Sequence, residues 1–221
     1  MKKSLVLAVI ALTVGCSRDP LYNGKPASQW SVDLQSPDVG TRRAAADALR
    51  ELGPKAKRAV PALVNALSDS DEVLRAKAAE ALWSMGDTAK DAVDALTAAL
   101  KDPHPDVRLN AAGALAEIGP EATSAIPSLS DTLRDENPLV RDAAARALGR
   151  FGPEASFAVA ALAVALKDSD DAVRIRAAGA LGDIGPAAAA AVPDLQNAAK
   201  ETNGAVRGAA VEALRKIQKK R

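Results

Sequence analysis

The sequence predicts an all-α fold, an α-solenoid of about six stacked two-helix units. Three observations carry that reading. Arg42, Arg75, Arg108, Arg141, Arg174 and Arg207 follow one another at steps of 33 residues. Gly53, Gly86, Gly119, Gly152 and Gly185 keep the same step, as do Leu49, Leu82, Leu115, Leu148, Leu181 and Leu214. The chain is 48% hydrophobic yet only 2% aromatic, and roughly fifty of its residues are alanine, the strongest helix former and far above ordinary usage. A fixed period of this length marks repeated helical units, each unable to bury its apolar face without a neighbour.

The first element is an address. Lys2 and Lys3 precede an uninterrupted apolar run from Leu5 to Leu12, and Gly15 is small. Residues 1–15 therefore read as an export signal. The run is about half the roughly 20 residues that a membrane-spanning helix needs. The chain's one cysteine, Cys16, comes next. This arrangement resembles a bacterial lipoprotein signal. The resemblance implies cleavage before Cys16, acyl chains on that residue, and a cell-envelope protein lipid-anchored to a membrane. Ser17 stands where Asp favours the inner membrane, so the resemblance points to the outer membrane in a two-membrane cell. The alternative is an ordinary signal with an incidental thiol. Residues 16–26 follow as a tether, polar with two prolines and a glycine, and reach about 35 Å when extended.

Residues 27–218 hold the repeats. Trp30 and Leu34 stand 33 positions before Leu63 and Leu67, so Ala27 to Gln35 is a first helix. In the next unit Ala56, Val60, Leu63 and Leu67 mark a first helix over Lys55 to Leu67, and Leu74, Ala78, Leu82 and Met85 a second. Gly86 ends that second helix, as glycine does at helix C-termini. Pro54, Pro120, Pro153 and Pro186 follow the glycines and suit the first turn of the next helix. Asp38, Asp71, His104, Asn137, Asp170 and Asn203 open the second helices, and five of these six are N-cap types. The column assigns the lone histidine, His104, to a cap. Phe151 falls in the core column of Leu52, Met85 and Ile118, and Phe157 is read with it as packing. Residues 219–221 are a basic tail, suited to a helix C-terminus.

These residues resemble the HEAT-repeat family, and more closely the bacterial HEAT-like repeats of the phycobilin-lyase type. The match runs through Pro61, Asp69, Val73-Leu74-Arg75, Ala81-Leu82 and Met85-Gly86, restated in later units, and covers Trp30 to Ile217. The resemblance implies a right-handed superhelix of the armadillo/HEAT type with the second helices on its concave side. It also implies a structural ladder. Asp69, Asp102, Asp135 and Asp168 each stand six residues before Arg75, Arg108, Arg141 and Arg174, and a guanidinium has enough donors to bridge adjacent units.

Binding in a solenoid falls where the repeat is unconstrained. The outward face of the second helices carries Glu80 and Trp83, and Trp83 stands in a column otherwise made of Arg50, Ala116, Gly149, Gly182 and Arg215. Leu109 and Ile175 are apolar where solvent is expected, and Arg146 and Arg150 offer a polar anchor. One reading is a concave groove for a protein or peptide; the other has Trp83 folded onto its neighbour.

Composition removes several function classes. Without Lys2 and Lys3 the chain holds 27 basic against 28 acidic residues, which with few aromatics argues against nucleic acid. One His and one Cys leave no metal or cofactor site and no catalytic constellation. The reading is thus a non-enzymatic, envelope-anchored scaffold that binds a protein or peptide partner on its concave face. The alternatives are a helper of an enzyme, as in lyase-like relatives, and a passive structural lipoprotein.

Overall fold

The computed structural model of the protein describes residues 19–219, so the export signal, Cys16 and most of the basic tail lie outside the described residues. A two-stranded antiparallel hairpin comes first, β1 (Leu21–Tyr22) and β2 (Lys25–Pro26). The first helices of the units are α1 (Ala27–Asp33), α3 (Val60–Ala66), α5 (Val93–Ala99), α7 (Ile126–Thr132), α9 (Val159–Ala165) and α11 (Val192–Ala198). They alternate with second helices α2 (Val39–Leu52), α4 (Glu72–Met85), α6 (Pro105–Ile118), α8 (Pro138–Phe151), α10 (Asp171–Ile184) and α12 (Gly204–Gln218). Among the described residues the fold is an all-α solenoid of six helix pairs.

Local chemistry sets the boundaries. All six second helices open on the expected residue, whose side chain accepts a backbone N–H of the first turn. His104 does so through Nδ1, 3.3 Å from the Asp106 nitrogen. A good cap contributes about 1 kcal/mol. Gly86 closes α4 with a φ of +57°, a conformation that costs a side-chain-bearing residue more than glycine.

The first helices differ from the continuous helix expected over Lys55 to Leu67. Gly53–Ala59 is a 3-10 stretch, and only Val60–Ala66 is α-helical. Proline is not the reason, because the unit with Asp87 and Asp94 in place of the prolines has the same division. Buried small residues give a better account. Gly53, Ala56 and Ala59 are all buried and stand three apart, which is one 3-10 turn. Ala89 and Ala92 repeat the pattern at 0% exposure.

The tether is a second departure. Its described part, residues 19–26, folds onto α1. Asn23 and Gly24 turn the hairpin with positive φ, a dipeptide made for a tight turn between strands. The Trp30 indole N–H donates to the Tyr22 carbonyl at 3.3 Å, and Lys25 lies 4.1 Å from the Trp30 ring centroid while pairing with Asp33.

Second helices pack against second helices along the whole stack, whereas first helices touch one another sparsely. Ala78, Ala111, Ala144, Ala177 and Ala210 are fully buried in that contact, and small side chains allow helix axes to approach about 8 Å. The side where neighbours lie closer is the inner side of the curve, so the second helices line the concavity. Leu82, Leu115, Leu148 and Leu181 fill the space between the two layers at 0% exposure, each worth about 1.5–3 kcal/mol of burial. Phe151 lies in this core at 4%, but Phe157 does not pack: it is 76% exposed on the outer row.

Candidate functional site

The repeated aspartates and arginines meet across unit boundaries. Arg108 donates from Nε and Nη2 to the Asp135 carboxylate of the next unit at 2.6 and 2.8 Å, and from Nη1 to the Asp102 carbonyl of its own at 2.9 Å. Arg75 binds Asp102 at 2.7 and 3.0 Å, and Arg141 binds Asp168 at 2.7 Å twice. Arg42 opens the file with one bond to Asp69 at 3.0 Å. At the far end Glu201 replaces aspartate and its longer side chain breaks the bidentate geometry. Arg174 lies 3.3 Å from it and pairs also with Asp171 in its own unit. Each aspartate also accepts the backbone N–H two residues on, as Asp135 does from Asn137 at 2.9 Å. Burial raises the Asp135 carboxyl, but the Arg108 hydrogen bonds and the Asn137 N–H outweigh it, so the group is held below the usual carboxylate range. Asp102 and Asp168 are lowered against burial in the same way.

The concave face is laced by a second set of ion pairs between neighbouring second helices. Lys77 reaches Asp47 at 2.5 Å, Arg50 reaches Glu80 at 3.3 Å, Arg176 reaches Asp142 at 3.0 Å, and Lys216 reaches Asp183 at 2.8 Å. At mid-stack Trp83 joins this face. Its ring covers Gly113 of the next unit, and the Arg146 guanidinium, two units away, lies 4.8 Å from the ring centroid. Glu117 then holds Arg146 at 3.7 Å and Arg150 at 3.0 Å, and the Arg150 Nε donates to the Ala116 carbonyl at 3.3 Å.

The site residues read from the sequence are thus divided among three places. Trp83, Arg146 and Arg150 form one cluster through Glu117. Leu109 and Glu80 line a separate hollow of about 290 Å³ with Val73 and Ala76. Ile175 shares a hollow of about 420 Å³ with Arg146, Arg150 and Gly179, and no atom lies within 4 Å of a Cβ built on Gly179. Sequence reasoning missed Glu117. Its signal was present: Glu117 and Arg150, like Asp183 and Lys216, are opposite charges 33 residues apart, the spacing of touching positions in adjacent units.

The repeat identity follows from a family comparison. The model of the HEAT repeats matches residues 32–104, 93–163 and 159–221. The chain belongs to the HEAT-repeat family. Among solved structures this HEAT protein is similar to the crystal structure of an engineered protein, at 28% identity and a TM-score of 0.73, over 86% of this chain and 96% of that one. It is also similar to a designed armadillo repeat protein solved in complex with the peptide (KR)4, at 21% identity and a TM-score of 0.74, over 86% and 98% of the two chains. A second designed armadillo repeat protein gives 22% and 0.69, over 86% and 98%. A search of curated proteins gives no match. Among the described residues no helix is long and apolar enough to cross a membrane, and no group of three or more His, Cys, Asp or Glu is placed to hold a metal ion.

Proposed function

We propose that this HEAT protein is a non-catalytic scaffold, anchored in the cell envelope through lipid on Cys16, which holds a protein or peptide segment on its concave face. One observation carries the binding role. The 420 Å³ hollow joins an apolar wall, Ile175, to three arginines, Arg146, Arg150 and Arg176, with one carboxylate, Asp183, and an open position at Gly179. Such a mixture of apolar surface and fixed charge suits an extended peptide, whose backbone and side chains need both. The designed armadillo repeat protein solved in complex with the peptide (KR)4 supports the same use of the fold. Nothing in the role needs a titrating side chain, and His104 is engaged as a helix cap.

The test is crosslinking in living cells from a photo-reactive residue placed at 179, with a matched residue at Ser124 on the outer row as control. A discrete protein adduct from position 179 alone is the expected result. Adducts from both positions, or from neither, favour the passive structural role.

A further inference from the structure

α9 is the one α-helix among the described residues with no polar side chain: Val159–Ala165 reads VAALAVA. One face of it fills the core, with Val159 at 6%, Leu162 at 0% and Ala165 at 5% exposure. The opposite face is bare. Val164 is 62% exposed, Ala160 is exposed, and Phe157, in the 3-10 turn leading into the helix, is 76% exposed. A groove of about 950 Å³ lies beside this ridge, lined by Ala187 and Ala190 of the next unit and by Leu133, Arg134 and Asp135 of the preceding one. A helix that is apolar all round is ordinarily covered all round. The corresponding rows of the other units carry polar residues, Asp94 and Thr97 in α5, Ser128 and Asp131 in α7, Asp194 and Asn197 in α11.

We propose that the cover is a second copy of this chain, packed on α9 about a two-fold axis through Ala160 and Ala161. The residues along the ridge are arranged for that operation. Phe157 and Val164 flank the small residues at nearly equal spacing, so an antiparallel copy sets Phe157 of one chain on Val164 of the other, twice. The small residues at the crossing let the two helices approach closely. Charge follows the same symmetry. Glu154 is exposed at the start of the ridge, and Lys167, 70% exposed, stands at its end. The two-fold places Glu154 of each copy against Lys167 of the other, the self-complementary pattern of an isologous interface. Parallel packing sets like charge on like. The pair of Lys167 with Asp194 at 2.8 Å occupies one of three ammonium donors and leaves two for the copy. This dimer leaves the concave face of both chains open, so it stands or falls independently of the peptide-binding role.

Sedimentation equilibrium on the full chain tests it. The unaltered protein is expected to dimerise, and Phe157→Asp to remain a monomer with an unchanged melt, since that side chain is exposed. Glu154→Lys and Lys167→Glu are each expected to weaken the dimer at least tenfold. The double variant Glu154→Lys/Lys167→Glu restores the opposite charges and is expected within about threefold of the original. A monomer at all concentrations overturns the proposal, as does a dimer indifferent to Phe157→Asp or a double variant no better than the singles. Binding of the unaltered monomer to lipid vesicles through Phe157 overturns it too, in favour of a bilayer as the cover.

Discussion

The ring of Trp83 lies directly over Gly113 one unit on: a Cβ built at 113 would stand 2.7 Å from the indole Cε3 and 2.8 Å from Cδ2. The two residues are 30 apart in the chain and on facing helices, α4 and α6. The glycine makes room for the ring, and the ring covers backbone that is otherwise turned to the concavity. Arg146 then lies over the indole from α8, so one side chain couples three successive units.

Gly113→Ala follows from this contact. Alanine favours a helix interior over glycine by about 1 kcal/mol, but here its methyl meets the ring system itself, which can yield only by moving as a whole. Overpacking of this kind costs about 1–3 kcal/mol, and urea melts are expected to show a net loss. Gly179→Ala, in the same column of α10 with nothing nearby, is expected to stabilise by up to about 1 kcal/mol. If both alanines stabilise, the Trp83 ring does not rest on Gly113.

The ladder gives a graded expectation. Arg108 and Asp135 have side chains only 8% and 9% exposed, and truncating one partner of a buried pair leaves the other uncompensated, at about 3 kcal/mol or more. Arg207 donates only to the exposed Glu201 and Thr202 carbonyls, at 2.9 and 3.3 Å. Arg207→Ala is expected to cost under about 1 kcal/mol. Chemical denaturation of both variants decides it; equal small losses mark the arginines as surface.

Much of this was legible in the sequence because a solenoid repeats its physics. The 33-residue step located six helix pairs, six caps and the column that buries Phe151. What differs from the sequence reading has a separate physical cause in each place. The Asn23-Gly24 hairpin stands outside the repeat and was absorbed into a tether. The 3-10 segment before each first helix from α3 onward is set by small buried residues three apart, which a 3.6-residue pattern does not register. The concave face depends on which unit a long side chain reaches. Glu117 carries no signal on its own helix, and Arg146, read as a polar anchor, is held by Glu117 and lies over Trp83. Phe157, read as packing beside Phe151, stands instead in the outward column of Asp91 and Ser124.

Acid is expected to dissolve the ladder. Asp102, Asp135 and Asp168 all titrate below their ordinary 3.8 in the folded chain, and Asp71, hydrogen-bonded to Arg43, falls to about 2. A lowered folded value means that the unfolded chain takes up protons first. Their stabilisation is therefore complete above about pH 5 and is lost as pH falls through 3.8 and then the folded values. Thermal melts are expected to hold steady from neutral pH to about 5 and to drop steeply below 4. Asp135→Asn is expected to melt lower at neutral pH and to show a shallower acid limb. An unchanged limb means that the ladder does not govern acid stability.

The anchor is tested at Cys16. Cys16→Ala removes the only thiol and with it the proposed acylation site. Two or more acyl chains are needed for lasting attachment, at about 0.8 kcal/mol per buried CH₂. The variant is expected to leave the membrane fraction when cells are broken and separated. Equal retention of the variant by membranes overturns the lipoprotein reading.

Trp83→Ala separates packing from binding on one side chain. The ring is partly buried against the core, so its loss is felt in stability, but by less than the roughly 3–5 kcal/mol of a fully buried tryptophan. Its pairing with Arg146 adds about 0.5–1 kcal/mol at a site this open. A loss of about 2 kcal/mol in the melt is the expectation, leaving most of the chain folded in the cold. If the ring also anchors a partner, the affinity of the protein crosslinked from position 179 falls by about 2 kcal/mol, or near thirtyfold, as at interface hot spots. Arg146→Ala discriminates further: it removes the cation over the ring and leaves the ring on Gly113, so it lowers affinity with little change in the melt only where the guanidinium contacts the partner. A Trp83→Ala melt lowered by the full core amount, with affinity unchanged, assigns the ring to packing alone and leaves the contact confined to the Ile175 hollow.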